Sequence, residues 1–120
     1  MKGDSAMRIC APVEEDKGVD SIPCRQFGSA AFFVIYDADK KTTDVIENES
    51  DGESPGINRY VNVLSRESVD AVFVGGIDDE LLAAFNSKGI KVYRSMPGTL
   101  RGNIEVLKRG DLEEIKPEID

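Results

Sequence analysis

From Asp70 the chain runs Ala71-Val72-Phe73-Val74 without a polar residue and stops at Gly75-Gly76. A strand-length apolar run that does not alternate needs cover on both faces, the condition of a parallel strand between helical layers. This run is therefore expected to be the central strand of an α/β sheet. The residues after it agree. Asp78 is placed to cap a helix, Asp79 and Glu80 suit its first turn, Leu81, Leu82 and Phe85 form a buried stripe, and Gly89 can supply a left-handed terminus. Ile90-Lys91-Val92-Tyr93 reads as the next strand, which completes a strand-helix-strand unit.

The flanks fill in the sheet. Arg8-Ile9-Cys10-Ala11-Pro12-Val13 is a short first strand, with Pro12 near its end because a residue without an N–H cannot continue an interior ladder. Phe32 to Tyr36 and Thr42 to Asn48, separated by Asp37-Ala38-Asp39-Lys40-Lys41, make a hairpin whose second strand is an exposed edge. Residues 49–56 are loop chemistry, and Ile57, Tyr60, Val61 and Leu64 recur at helical spacing over about ten residues. After Ser95-Met96-Pro97-Gly98, Thr99 caps a last helix carrying Leu100, Ile104 and Leu107 to Gly110. The expected fold is a mixed five-stranded sheet with one antiparallel strand and helices on both faces. Residues 1–7 are expected to be a flexible lead-in, 8–112 the domain, and 113–120 an acidic tail, with Leu112 and Ile115 able to dock on the body.

Composition removes whole classes of function. A formal net charge of -8, from 15 Lys and Arg against 23 Asp and Glu, opposes binding along a phosphate backbone, so no nucleic-acid partner is expected. No apolar stretch approaches a membrane span and the start lacks the apolar segment of a secretory signal, which points to the cytoplasm and to no membrane partner. The chain has no histidine, the side chain used most often for proton transfer near neutral pH and for metal ligation. No Gly-x-Ser-x-Gly elbow, dinucleotide fingerprint or Walker loop is present, and no catalytic residue is expected. Cys10 and Cys24 lack the paired spacing of a zinc site and read as free thiols, Cys10 as a small buried hydrophobe.

In an open α/β sheet, ligands favour the crevice beyond the carboxyl ends of the parallel strands. Here that edge should gather the loop from Glu14 to Ala31, the Gly75-Gly76 turn, and Ser95 to Thr99. Arg25 beside Cys24 would favour the thiolate, the form that binds soft metals. Cys24, Met96 and Cys10 make a conceivable set for iron-sulfur material or copper(I). Arg94 and Arg101 flank the Thr99 helix start and mark it as the better anion site, the alternative being that both meet acids of the tail or lie over apolar surface. Asp78-Asp79-Glu80 reads as a solvated capping turn, since adjacent helix positions point apart.

Taken together, Arg8 to Val13, Gly18-Val19-Asp20-Ser21, Gln26-Phe27-Gly28-Ser29-Ala30, Asp70 to Gly76, Ala83-Ala84-Phe85, Gly89 to Tyr93 and Gly98-Thr99 resemble the dinitrogenase iron-molybdenum cofactor biosynthesis proteins over roughly residues 8–112. The resemblance implies a ribonuclease H-like three-layer α/β fold. It also implies a non-enzymatic, nitrogen fixation-related role in binding or carrying iron-sulfur or iron-molybdenum cluster material. The family's loop typically reads His-Phe-Gly with histidine as the expected ligand, and here that position is Gln26, a poor soft-metal ligand. A histidine-containing family segment corresponds to Asp51-Gly52-Glu53-Ser54-Pro55-Gly56, which also lacks histidine. The expected cluster site comprises Cys24, Arg25, Gln26, Phe27, Gly28, Gly75, Gly76, Gly98 and Thr99, with Cys24 the metal ligand. Cluster donor or acceptor proteins are the expected partners, and the chain a monomer or weak dimer. The alternative is a metal-independent sensor of small anions, using Arg94 and Arg101, or a protein-interaction module.

Overall fold

A computed structural model describes residues 7–24, 30–47 and 57–116, the side chains of residues 57–60 excepted. Expectations placed on residues 1–6, 25–29, 48–56 and 117–120 lie outside the described residues. The strands are β1 (Arg8–Val13), β2 (Phe32–Asp37), β3 (Thr42–Glu47), β4 (Ala71–Val74) and β5 (Lys91–Arg94). The helices are α1 (Ile57–Arg66), α2 (Asp79–Ser87) and α3 (Leu100–Lys108), and Gly18–Asp20 adds one 3-10 turn.

The five strands form a single sheet in the order β3-β2-β1-β4-β5. β1 pairs in parallel with β4 and β4 with β5, while β2 is antiparallel to both β1 and β3. Only β2 therefore runs against the rest, as the tight turn between β2 and β3 and the helical crossovers require. The middle strand is β1, not β4 as the sequence suggests. The apolar run of β4 records helical cover on both of its faces, which an interior strand next to the edge receives as fully as the central one. Pro12 lies within β1 opposite Phe33, but the parallel ladder to β4 engages only Ile9 and Cys10. Its missing N–H thus falls past the last pair with β4.

Side chains alternate across the sheet with period two and divide the core. On one face Cys10, Phe33, Ile35, Val72 and Val74 meet Val61 and Leu64 of α1 and Leu81, Leu82 and Phe85 of α2. On the other, Ile9, Ala11, Val13, Val34 and Phe73 meet Leu100 and Ile104 of α3. Gly89 has φ +79, the left-handed stop expected after α2. The tail docks as an extra pairing: Leu112 is buried, the Arg94 N–H donates to the Glu113 carbonyl at 2.8 Å, and the Ile115 N–H to that of Val92 at 2.7 Å. This covers the outer edge of β5. Strand β3 is the exposed edge, with Val45 39% accessible.

Candidate functional site

Because β1, β4 and β5 are parallel, their carboxyl ends share one edge, and the three loops leaving them converge there. The loop after β1 folds back on its own strand: Pro23 forms an antiparallel bridge with Val13, and the Cys24 N–H donates to the Pro12 carbonyl at 2.6 Å. Ser21 is buried, and its hydroxyl accepts from the Lys17 N–H at 2.7 Å. The start of α3 is tied to the same loop, the Leu100 N–H donating to the Ser21 carbonyl at 2.7 Å. Between β4 and β5, Arg94 Nη1 donates to the Gly75 carbonyl at 3.2 Å and the Ser95 N–H to that of Val74 at 2.8 Å. Cys24, Gly75, Gly76, Gly98 and Thr99 thus occupy one edge of the sheet, whereas Arg25, Gln26, Phe27 and Gly28 lie outside the described residues.

Sequence reasoning missed the residue that holds the third loop. Asn103, on α3 and only 2% exposed, accepts from the Met96 N–H at 2.6 Å and donates to the carbonyls of Met96 at 3.0 Å and Thr99 at 2.9 Å. It fixes both ends of the segment from Met96 to Thr99, in which Gly98 takes φ +124. A signal was available: Leu100, Asn103, Ile104 and Leu107 fall at i, i+3, i+4 and i+7, so a polar side chain occupies a core position of the stripe. Thr99 caps α3 as expected, its hydroxyl accepting from the Gly102 N–H at 3.1 Å.

One electrostatic expectation needs correction. Cys24 is half-buried, and its Sγ donates to Glu14 Oε2 at 3.5 Å. Desolvation first, then the hydrogen bond to Glu14 and that carboxylate's charge, push the thiol up to about 11 from its ordinary 9.0. At neutral pH it is a thiol and not the thiolate that Arg25 suggested. The guanidinium groups are also engaged: Arg94 Nε lies 3.2 Å from Glu113 Oε1 and Arg101 Nε 3.3 Å from Asp20 Oδ1. Each charge is met by a carboxylate, which weakens the case for an anion site at the start of α3. Cys10 is fully buried among apolar side chains, and burial drives its thiol far up, so it offers no metal ligand to the surface. Met96 is 50% exposed at the same edge.

A hollow of about 410 Å³ opens beside Cys24, lined by Glu14, Glu15, Lys17, Asp20, Ile22 and Pro23. Gly75, Gly76, Gly98 and Thr99 are not part of its lining. Of its three carboxylates Glu15 is met by Lys17 and Asp20 by Arg101, which leaves Glu14 beside the thiol. Among the described residues no group of three or more cysteine, aspartate and glutamate side chains is arranged to hold a metal ion.

These features define a small α/β domain whose parallel strand ends carry a thiol next to a carboxylate. A family model described as dinitrogenase iron-molybdenum cofactor matches residues 7–110, and the chain belongs to that family. Among solved structures it is similar to a Thermotoga protein assigned provisionally as a NifB protein, with 26% identity, a TM-score of 0.75, and coverage of 95% of this chain and 97% of that one. It also shares its fold with the apo form of the orange protein from Desulfovibrio gigas, with 24% identity, a TM-score of 0.83, and coverage of 95% and 97%. A Methanocaldococcus jannaschii protein assigned provisionally as a dinitrogenase has the fold as well, with 23% identity, a TM-score of 0.67, and coverage of 93% and 97%. A search of curated proteins gave no significant match. No helix among the described residues is long and apolar enough to cross a membrane.

Proposed function

We propose that this chain is a non-enzymatic cytoplasmic accessory domain that binds or carries metal-sulfur cargo, iron-sulfur or iron-molybdenum, at the carboxyl edge of its parallel strands. Family membership supports the cargo class. The observation that carries the location is the half-buried Cys24 thiol beside Glu14, in a hollow at the end of β1. Soft thiolate and hard carboxylate together suit a metal cation that displaces the thiol proton. Gln26 stands where the family's histidine is expected, which leaves Cys24 as the soft donor of this loop. Two described donors do not close a coordination shell, so the cargo would keep ligands of its own. That is the condition for release to an acceptor protein.

A non-catalytic role is supported by the chain's lack of histidine. The ribonuclease H-like classification belongs to the same reading, and the order β3-β2-β1-β4-β5 with β2 alone reversed supports it. The test is anaerobic titration with an iron-sulfur or iron-molybdenum cluster, followed by desalting and elemental analysis. Retention of metal by the wild type and its loss in Cys24→Ser are expected. Retention unchanged in Cys24→Ser removes the thiol from the site, and no retention by the wild type removes the carrier role.

A further inference from the structure

Away from Cys24, on the face covered by α3, several cationic side chains line two hollows. One hollow of about 550 Å³ and another of about 540 Å³ share Lys41, Ile104 and Lys108, forming a trough that follows α3 from Arg101 to Lys108. Its two ends differ. Near the amino-terminal ends of β1 and β5 the wall is apolar, built from Ile9, Tyr93, Ile104 and Leu107, and lysines 41, 91 and 108 stand around it. Tyr93 is braced by an edge-on contact with Phe73, centroids 6.1 Å apart at 90°, so this wall is preset. Towards Arg101 the lining becomes polar, with Lys17, Thr43 and Tyr36. Among the described residues Glu105 is the single carboxylate lining either hollow.

Lys41, Lys91 and Lys108 form no ion pairs among the described residues, whereas Lys17 and Arg101 are met by Glu15 and Asp20. In a chain of net charge -8, three ammonium groups that find no ion-pair partner among the described residues stand around one apolar wall. Lys41 sits at φ +58 in the turn between β2 and β3, a left-handed conformation that glycine or asparagine adopts at less cost. The side chain held there by a strained backbone lines both halves of the trough.

We propose that this trough binds an organic phosphate monoester with an apolar body of about the size of one ring, its phosphate between Lys41, Lys91 and Lys108 and its body against Tyr93, Ile104 and Leu107. A phosphate monoester carries up to about two negative charges near neutral pH and suits several point-charge ammonium donors, where a single carboxylate would leave most of their charge unmatched. The apolar wall gives affinity that a free inorganic ion cannot collect. This site is separate from the Cys24 edge, and its test does not depend on metal cargo.

Solution NMR on the full chain can decide, titrating phenyl phosphate, inorganic phosphate and benzyl alcohol in turn. Phenyl phosphate is expected to shift the amides of Lys41, Tyr93, Leu107 and Lys108 and to bind at least about fivefold more tightly than either fragment, weakening in about 0.5 M NaCl. Lys41→Gly removes the ammonium while relieving the left-handed backbone, so it should keep or raise thermal stability and lose about fivefold in affinity, the effect of one exposed charge contact. Lys108→Gln should act in the same direction. Equal affinity for inorganic phosphate, absence of shifts at those amides, or unchanged binding in Lys41→Gly each overturns the proposal.

Discussion

The thiol of Cys24 gives the sharpest check on the electrostatics of the strand edge. A rise from 9.0 to about 11 leaves roughly a hundredfold less thiolate at about pH 8 than an unperturbed cysteine has. Intrinsic nucleophilicity increases with thiol basicity and returns roughly tenfold of that loss. Wild-type Cys24 should therefore react with iodoacetamide about tenfold more slowly than a cysteine in an unstructured peptide. Glu14→Gln removes the carboxylate's charge but keeps an acceptor and leaves the dominant desolvation in place, so it should recover only about two- to threefold. Cys10, fully buried, should be labelled only after unfolding and serves as an internal control. Mass spectrometry of the alkylated chain against time separates the two sites. A Cys24 rate at or above that of the free peptide would mean that a nearby cation holds the thiolate and that neither burial nor Glu14 governs its ionisation. The same shift has a stability consequence: Cys24 contributes fully below 9.0 and loses its contribution as pH rises through about 11, so Cys24→Ser should flatten the alkaline limb of a stability profile.

Asn103→Ala should destabilise the chain by about 2–3 kcal/mol in urea unfolding, because the Met96 N–H and two carbonyls lose a buried partner, and hydrogen exchange at Met96 should accelerate with it. Gly102→Ala should stabilise by about 0.5–1 kcal/mol, since a Cβ there meets only the Thr99 hydroxyl at 3.6 Å and the helix gains a better former; a lower melting temperature would count against this. Asp37 is held below its ordinary 3.8 chiefly by the Lys40 N–H, and also by Arg8 Nη1 at 2.9 Å and the Asp39 N–H. Its contribution is present above 3.8 and lost as pH falls through the lower folded value. The wild type should therefore exceed Asp37→Asn at neutral pH by a margin that shrinks in acid, and a margin constant with pH would exclude the ionic origin.

Local signals carry the elements. The run ending at Gly75, the Asp78 and Thr99 helix starts and the stop at Gly89 each depend on residues a few positions apart, and the structure agrees with their positions to within a residue or so, although Asp78 lacks the side-chain capping bond that Thr99 makes. Order in the sheet does not follow from such signals. The Ala71–Val74 run looks central because burial on two faces reads the same in any interior strand, and only the docking of the β2–β3 hairpin on β1 puts β1 in the middle. The candidate site is unevenly legible for the same reason. Convergence of the Cys24, Gly75 and Thr99 loops follows from parallel strand ends, but the charges around them do not. Arg25 is the chain neighbour of Cys24, whereas Glu14, ten residues away, is the carboxylate that accepts from its sulfur. Arg94 meets Glu113 of the tail, the alternative the sequence offers, whereas Arg101 finds Asp20 across 81 positions, a pairing that no local spacing announces.

If metal cargo binds at the strand edge as proposed, the groups around Cys24 constrain how it is held. Glu15 and Asp20 are met by Lys17 and Arg101, so Glu14 is the carboxylate that a metal bound to Cys24 would meet. Binding to Cys24 must also expel a proton from a thiol raised to about 11, so affinity through that bond rises by about tenfold per pH unit in the neutral range. With no histidine in the chain, no imidazole side chain can take up that proton, and solvent or the cargo's own ligands must accept it. A weak, proton-opposed and incomplete coordination is a poor design for storage. Under the proposed role it would suit brief possession, in which an acceptor with more basic or more numerous ligands would draw the metal away while Cys24 regained its proton and its bond to Glu14.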